Sequence, residues 1–449
     1  MADSQTLLIE VSRLRVGLYI HLDLGWMDHP FSLSSFKITS QEQIDTIRSL
    51  GLERIRYSPD KSDPGLEPSP AAPGAAARAG HAGAAGNAGD AEHPDRVEPA
   101  EAAAATEESL DLAAKIQRRE LLASQRASLQ ICERQFTQAT QTYKQVMESV
   151  YSKPEVSREQ SEAMIKGFVG EILGEQDACI RLLSEKAGEK TSLHSINVTI
   201  ISLLLGKASG LGEQDLLDLG MGALLHDIGK IDLPDRLRWN DEHFVAAERQ
   251  IYQEHVAHGV DLARKMRLST GAILAIGQHH EYANGSGYPR HINAEKMSVP
   301  ARIVSLVNHY DNLCNPGNPV LAVTPHEALS FMFAQKRPLF HSATMSLFVR
   351  MMGVYPPGSV VQLTDDRFAL VVSVNSARPL KPSVVVHDPH VPPDEALVID
   401  LENELEVGIR RSLKPLQLTK AAFDYLSPRK RMCYFFERAR ETAAEGAGQ

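Results

Sequence analysis

Leu225-His226-Asp227-Ile228-Gly229-Lys230 sets a histidine, an aspartate and a lysine at the end of an otherwise apolar segment. Upstream, Leu216, Leu217, Leu219, Met221, Leu224 and Leu225 have helical spacing, and Gly229 followed by Pro234 supplies a stop signal. His226 and Asp227 are therefore expected at the buried end of a helix. Burying an unpartnered carboxylate costs roughly several kcal/mol, and the usual escapes are a cation, a metal or a raised pKa. Imidazole nitrogen beside carboxylate oxygen suits borderline divalent ions such as Mn, Fe or Zn. The plainer alternative is a helix-terminal aspartate paired with Lys230.

Helical patterns dominate from Ser157 to about Ala334, opened by the capping box Ser157-Arg158-Glu159-Gln160. Further histidines there share the character of the first. His194 stands at the start of a helix whose Val198, Ile201, Leu204 and Leu205 face a core. His255 lies three residues before His258, and spacing does not separate the two. His279 and His280 close the apolar run Ala272-Ile273-Leu274-Ala275-Ile276. Adjacent side chains diverge by about 100° on a helix, so such a pair can address two ions. On a fourth helix Asn308 and Asp311 each offer an oxygen from nearly one face. A single histidine of this kind is most simply a core residue bonded to backbone. Five of them with Asp227 and Lys230, all at ends of apolar helices, make one polynuclear metal site the economical account. The loop Glu281-Tyr282-Ala283-Asn284-Gly285-Ser286-Gly287-Tyr288-Pro289 reads as a connector, or as glycines that let a phosphate approach the backbone.

At 449 residues the chain is expected to hold two to four domains. Its 47 basic and 57 acidic residues give a net charge of -10, which argues against a nucleic-acid polymer or an anionic membrane as partner. Cys132, Cys179, Cys314 and Cys433 form no CxxC pair, which fits a reducing cytoplasm. No apolar run approaches a membrane span, so no membrane insertion is expected.

Residues 1–59 read as a small α+β module with a Trp26-to-Phe31 loop, and residues 60–106, rich in Ala, Gly and Pro, as a disordered linker. In the helix at 107–154, Leu129, Cys132, Phe136, Ala139, Tyr143, Val146 and Val150 step by three and four. That seam either makes a homodimer through the 122–150 helix or packs on its own domain. Residues 155–345 read as a helical segment and are the expected catalytic core. Residues 346–449 read as a β-rich segment of three or four strands closed by a helix from about Lys420 to Thr442.

The succession His194, His226-Asp227, Lys230, His255, His279-His280 and Gly287-Tyr288-Pro289 resembles the HD-GYP domain, a branch of the HD metal-dependent phosphohydrolases. The N-terminal module, with Leu14-Arg15-Val16-Gly17 and Trp26-Met27-Asp28-His29-Pro30-Phe31, is similar to the domain of unknown function that often precedes it. The resemblance implies a mainly α fold with an all-helical HD-type core. It implies hydrolysis of cyclic di-GMP to pGpG or GMP by a metal-bridging hydroxide, in bacterial signalling with signalling-protein partners. It implies two divalent ions, Fe or Mn, on His194, His226, Asp227, His255, His279, His280 and Asn308. It casts Asp227 and Lys230 as catalytic, and Lys230, Gly287, Tyr288, Pro289 and Asp311 at the substrate.

The departures from that pattern are Asn308 for an aspartate, Lys190 where three-metal members carry glutamate, and Tyr282 and Asn284 in the loop. They leave a second reading: a weakened site that binds cyclic di-GMP or a protein partner without turning over.

Overall fold

A computed structural model describes residues 7–22, 35–49, 52, 54–63, 99–174, 178–184, 190–239, 243–375, 380–404 and 406–438. The Trp26-to-Phe31 loop and residues 64–98 of the expected linker lie outside these.

Two units are described separately, residues 1–119 and 120–449. In the first, β1 (Leu7–Glu10), β2 (Tyr19–His21), β3 (Ser35–Lys37), α1 (Gln41–Ser49) and β4 (Arg54–Tyr57) form an antiparallel sheet, order β1-β4-β2-β3, with one helix. Ile9, Ile20, Ile44, Ile47, Ile55 and Tyr57 supply its core. The long helix α2 (Pro99–Ser149) begins inside the stretch expected to be linker and crosses the boundary between the units.

The second unit continues with α3 (Pro154–Ile172), β5 (Ala178–Leu182), α4 (Lys190–Ala208), α5 (Glu213–Leu225), α6 (Ala246–Gln253), α7 (His255–Lys265), α8 (Thr270–Gln278) and α9 (Val299–Cys314). In α4 Ile196, Val198, Ile200, Ile201, Leu203 and Leu205 are all fully buried, as a helix apolar on every side must be. α5 packs on α4 and α8, and α9 packs on α4, α5 and α8. The α5–α8 crossing is close because it is made of small residues: a Cβ on Gly222 would fall 2.4 Å from that of Ala275. Ser269 and Ser298 cap α8 and α9 through Ala272 N and Ala301 N, so both helices enter the core from satisfied ends.

After α10 (Pro325–Gln335) and α11 (Ser342–Met352) come β6 (Val360–Leu363), β7 (Phe368–Asn375), β8 (Ser383–Val386), β9 (Val398–Asp400), β10 (Ile409–Leu413), α12 (Lys420–Leu426) and β11 (Tyr434–Arg438). Two expectations are corrected here. The C-terminal helix stops at Leu426, and Tyr434–Arg438, read as its continuation, is a strand. Its run Tyr434-Phe435-Phe436 is buried whole and pairs with β5, an element expected within an all-helical segment. The sheet is therefore threaded through the helical unit, with seven strands in the order β10-β6-β7-β5-β11 and β8-β9 branching from β7.

The seam of α2 is also spent at home. Cys132, Phe136, Ala139, Tyr143, Val146 and Val150 are buried within the unit, Phe136 edge-on to Phe435 at 6.4 Å, so they offer no face to a second copy. No helix among the described residues is long and apolar enough to cross a membrane.

Candidate metal centre

Helix ends deliver every group. His194 comes from the first turns of α4, His226 and Asp227 from the end of α5, His255 from the start of α7, and His279 and His280 from the end of α8. The turn after Asp227 lies tight on α7, since a Cβ on Gly229 would meet the His255 carbonyl oxygen at 2.0 Å. Only glycine lets the α5 end come this near the α7 start. His226, His255 and His279 are at most 1% exposed, Asp227 7% and His194 8%, which removes competing water.

Four of the five imidazoles are fixed through Nδ1. His226 Nδ1–H donates to Ala223 O at 2.7 Å, His279 Nδ1–H to Ile276 O at 2.6 Å, and His255 Nδ1–H to Tyr252 O. His194 Nδ1 faces Asp311 Oδ2 at 2.7 Å instead. A carbonyl only accepts, so the proton sits on Nδ1 and a lone pair sits on Nε2. Those lone pairs meet: His194 Nε2 and His226 Nε2 are 3.2 Å apart, His255 Nε2 and His279 Nε2 3.3 Å.

Asp227 stands between the two pairs. Its Oδ2 is 3.4 Å from His226 Nε2 and 3.7 Å from His194 Nε2; its Oδ1 is 3.5 Å from His255 Nε2 and 3.6 Å from His279 Nε2. Buried Oδ1 and His280 Nε2 have no hydrogen-bond partner among the described residues. Two pairs of lone pairs and a carboxylate oxygen, all aimed inward, make a donor set that suits a cation on each side of Asp227. The groups His194-His226-Asp227 and Asp227-His255-His279-His280 could each hold a divalent ion, with Asp227 shared. The residues present fit such ions.

Electrostatics keeps the donors available. Burial pushes His226 down to about 4 and His255 to about 3, and lowers His280 well below its usual value, so all three are neutral at pH 7. Burial alone would raise Asp227, but the Lys230 ammonium and His226 outweigh it and hold the carboxyl well below its usual range. Lys230 Nζ donates to Asp227 Oδ2 at 2.6 Å and sits 5.2 Å from the Tyr252 ring centre. Burial works against its charge, yet Asp227 and Tyr252 leave its pKa raised.

Two cavities meet at His194, Lys230 and Trp239. One of about 330 Å³ runs past His279, His280 and Tyr288; the other, about 590 Å³, runs past Asp227, Tyr143 and Tyr151.

Of the two histidines that spacing left open, His255 joins the cluster and His258 does not. Asn308 lines the smaller cavity, where its Oδ1 accepts from Asn312 Nδ2 at 2.6 Å. Asp311, expected at the substrate, is fully buried behind His194: its Oδ1 accepts from Asn197 and Asn315 at 2.8 and 2.9 Å. Tyr288 stacks on His280 with centroids 4.6 Å apart. Gly287 serves packing, because its missing Cβ would lie 2.4 Å from His280 O and Tyr282 N. The peptide from Tyr288 to Pro289 is cis. Buried Glu281 holds the loop by accepting from Arg290 N at 2.6 Å and Ile292 N at 3.1 Å. Asn197, Asn315, Tyr252, Trp239 and Arg431 went unnoticed in the sequence, since none lies in a patterned motif.

Residues 6–161 match the family model of a domain of unknown function, DUF3391, and residues 177–342 match that of the HD domain. A cyclic di-GMP phosphodiesterase of Pseudomonas aeruginosa is 25% identical over 387 residues, 84% of each chain. A 3′3′-cGAMP-specific phosphodiesterase of Vibrio cholerae is 29% identical over 32% of this chain and 31% of its own. Among solved structures, an HDG"Y"P protein from Bdellovibrio bacteriovorus is 15% identical with a TM-score of 0.41, covering 76% of this chain and 97% of that one.

Proposed function

We propose that this chain, whose residues 6–161 match DUF3391 and 177–342 the HD domain, acts as an HD-GYP phosphodiesterase that hydrolyses a cyclic dinucleotide, cyclic di-GMP foremost, to linear pGpG and onward to GMP. The observation that carries the reading is Asp227, each of whose oxygens faces its own pair of imidazole Nε2 atoms. Bound there, two Fe or Mn ions would polarise phosphoryl oxygens and acidify water.

The chain's own residues do the rest. Nδ1 anchors keep the imidazoles in one tautomer, so their donors need no rearrangement on binding. Lys230, held charged by Asp227, offers a fixed cation for charge developing on the phosphoryl oxygens. Asn308 and Asn312, on one face of α9, present amides to the smaller cavity, and Trp239, Tyr252, Tyr282 and Tyr288 give it flat walls that suit purine bases. The relatives' names, which cover both cyclic di-GMP and 3′3′-cGAMP, support the substrate class.

The test is metal analysis of protein purified without oxygen, with chromatography of products from cyclic di-GMP and 3′3′-cGAMP. Two equivalents of Fe or Mn with faster release of pGpG from cyclic di-GMP is the expected result. Metal without cleavage of either dinucleotide overturns the reading, and preference for 3′3′-cGAMP changes the substrate within it.

A further inference from the structure

Arg431 lies almost ninety residues beyond the last residue matched to the HD domain, yet it lines the same cavity as His194, Lys230, His279 and His280. That cavity is cationic in an acidic protein. Among the described residues Lys230, Arg249 and Arg431 line it and no aspartate or glutamate does, although the chain has 57 acidic residues against 47 basic; Asp227, the partner of Lys230, lines the adjoining cavity. Half-buried Arg431 makes no hydrogen bond or ion pair with any described residue. A guanidinium partly withdrawn from water without a counter-charge is poised for an anion, and its planar fork matches the two free oxygens of a phosphodiester.

Its position is fixed at the root. Met432 N donates to Asn315 Oδ1 at 2.8 Å, and Met432 O accepts from Asn315 Nδ2 at 2.9 Å and Asn197 Nδ2 at 2.7 Å. The same two amides donate to Asp311, which anchors His194. One set of hydrogen bonds thus sets both the metal-facing imidazole and the backbone that carries Arg431.

Resting on the proposed hydrolysis of a cyclic dinucleotide, we infer that Arg431 is a substrate-binding residue that holds the second phosphate, the one not being cleaved. The scissile phosphate is met by the metal centre and Lys230, and the other carries a full charge into the same cavity. Because guanine O6 and N7 would also suit an arginine, the test separates phosphate from base.

Equilibrium binding to the metal-loaded full-length chain is measured with non-cleavable 3′-methylene analogues of cyclic di-GMP and cyclic di-AMP. Arg431→Ala is expected to weaken both by about 10- to 100-fold, Arg431→Lys to restore part of the loss, and metal content to stay at the wild-type level. Binding unchanged within about twofold, a loss confined to the guanine analogue, or metal lost in step with binding overturns the assignment. The natural dinucleotides judge the underlying reading on their own. A wild-type protein that binds the analogues through Arg431 but cleaves neither natural dinucleotide loses the phosphodiesterase and keeps the assignment. One that binds neither analogue loses the assignment, whatever it cleaves.

Discussion

The two sides of Asp227 present similar donors and are built differently. On one side His255 and His279 are oriented by carbonyls three residues upstream, Tyr252 O and Ile276 O, so each helix end sets its own ligand. On the other, His194 hangs on Asp311, which hangs on Asn197 and Asn315, and those hold Met432 at the edge of the C-terminal strand. His226, like His255 and His279, is set locally by a carbonyl three residues upstream, and His194 is the one that depends on segments more than two hundred residues apart. The wholly local half, His255 and His279, is indifferent to the C-terminal sheet; the other half depends on it through His194.

The largest effect should come from the group common to both sides. Asp227→Ala removes the shared carboxylate, and turnover is expected to fall by about a thousandfold or more, with both metal equivalents lost on mass-spectrometric analysis. Retention of either equivalent would show that one side stands without the bridge.

Acid should act on both sides, because each holds one histidine that burial keeps neutral, His226 on one and His255 on the other. For a histidine whose folded pKa lies below its unfolded value of about 6.5, the unfolded chain binds more protons in between, so stability falls as pH falls. In metal-free protein the fall should run from about pH 6.5 through about 4 for His226 and about 3 for His255. It is expected to reach several kcal/mol, roughly, by urea unfolding across that range. A flat profile would mean the imidazoles are not neutral in the folded state.

Gly229→Ala strikes the local half only. Its Cβ would meet the His255 carbonyl and Gly259 N at 2.0 and 2.3 Å, both backbone, so α7 must move. About 2–4 kcal/mol of stability should be lost, and the cation beside His255 should bind more weakly than the one beside His194. Equal weakening of both would break the comparison.

Asp311→Ala is the converse and the mildest. His194 loses its anchor, and one cation is expected to weaken by about 10- to 100-fold while the other keeps its affinity, as stepwise metal titration would show.

Much of this was open to the sequence because it depended on periodicity and neighbours. The helical core follows from apolar spacing, and the expectation that His226-Asp227 closes a buried helix follows from Leu216 to Leu225 and the stop at Gly229. His279 and His280 are similar, since three-residue geometry at a helix end fixes both burial and tautomer. Distance along the chain hid the remainder. Tyr434-Phe435-Phe436 extends a helical pattern until β5 pairs with it, and a strand's hydrogen bonds depend on a partner that sequence spacing does not reveal. His255 and His258 differ in nothing local, and only the close approach of Gly229 selects His255. The sequence alone determined which residues have the chemistry to hold metal. Tertiary structure decided which of them converge, that Asp311 stands behind His194, and that Arg431 reaches the cavity, because those positions are set by Asn197, Asn315 and the strand they hold.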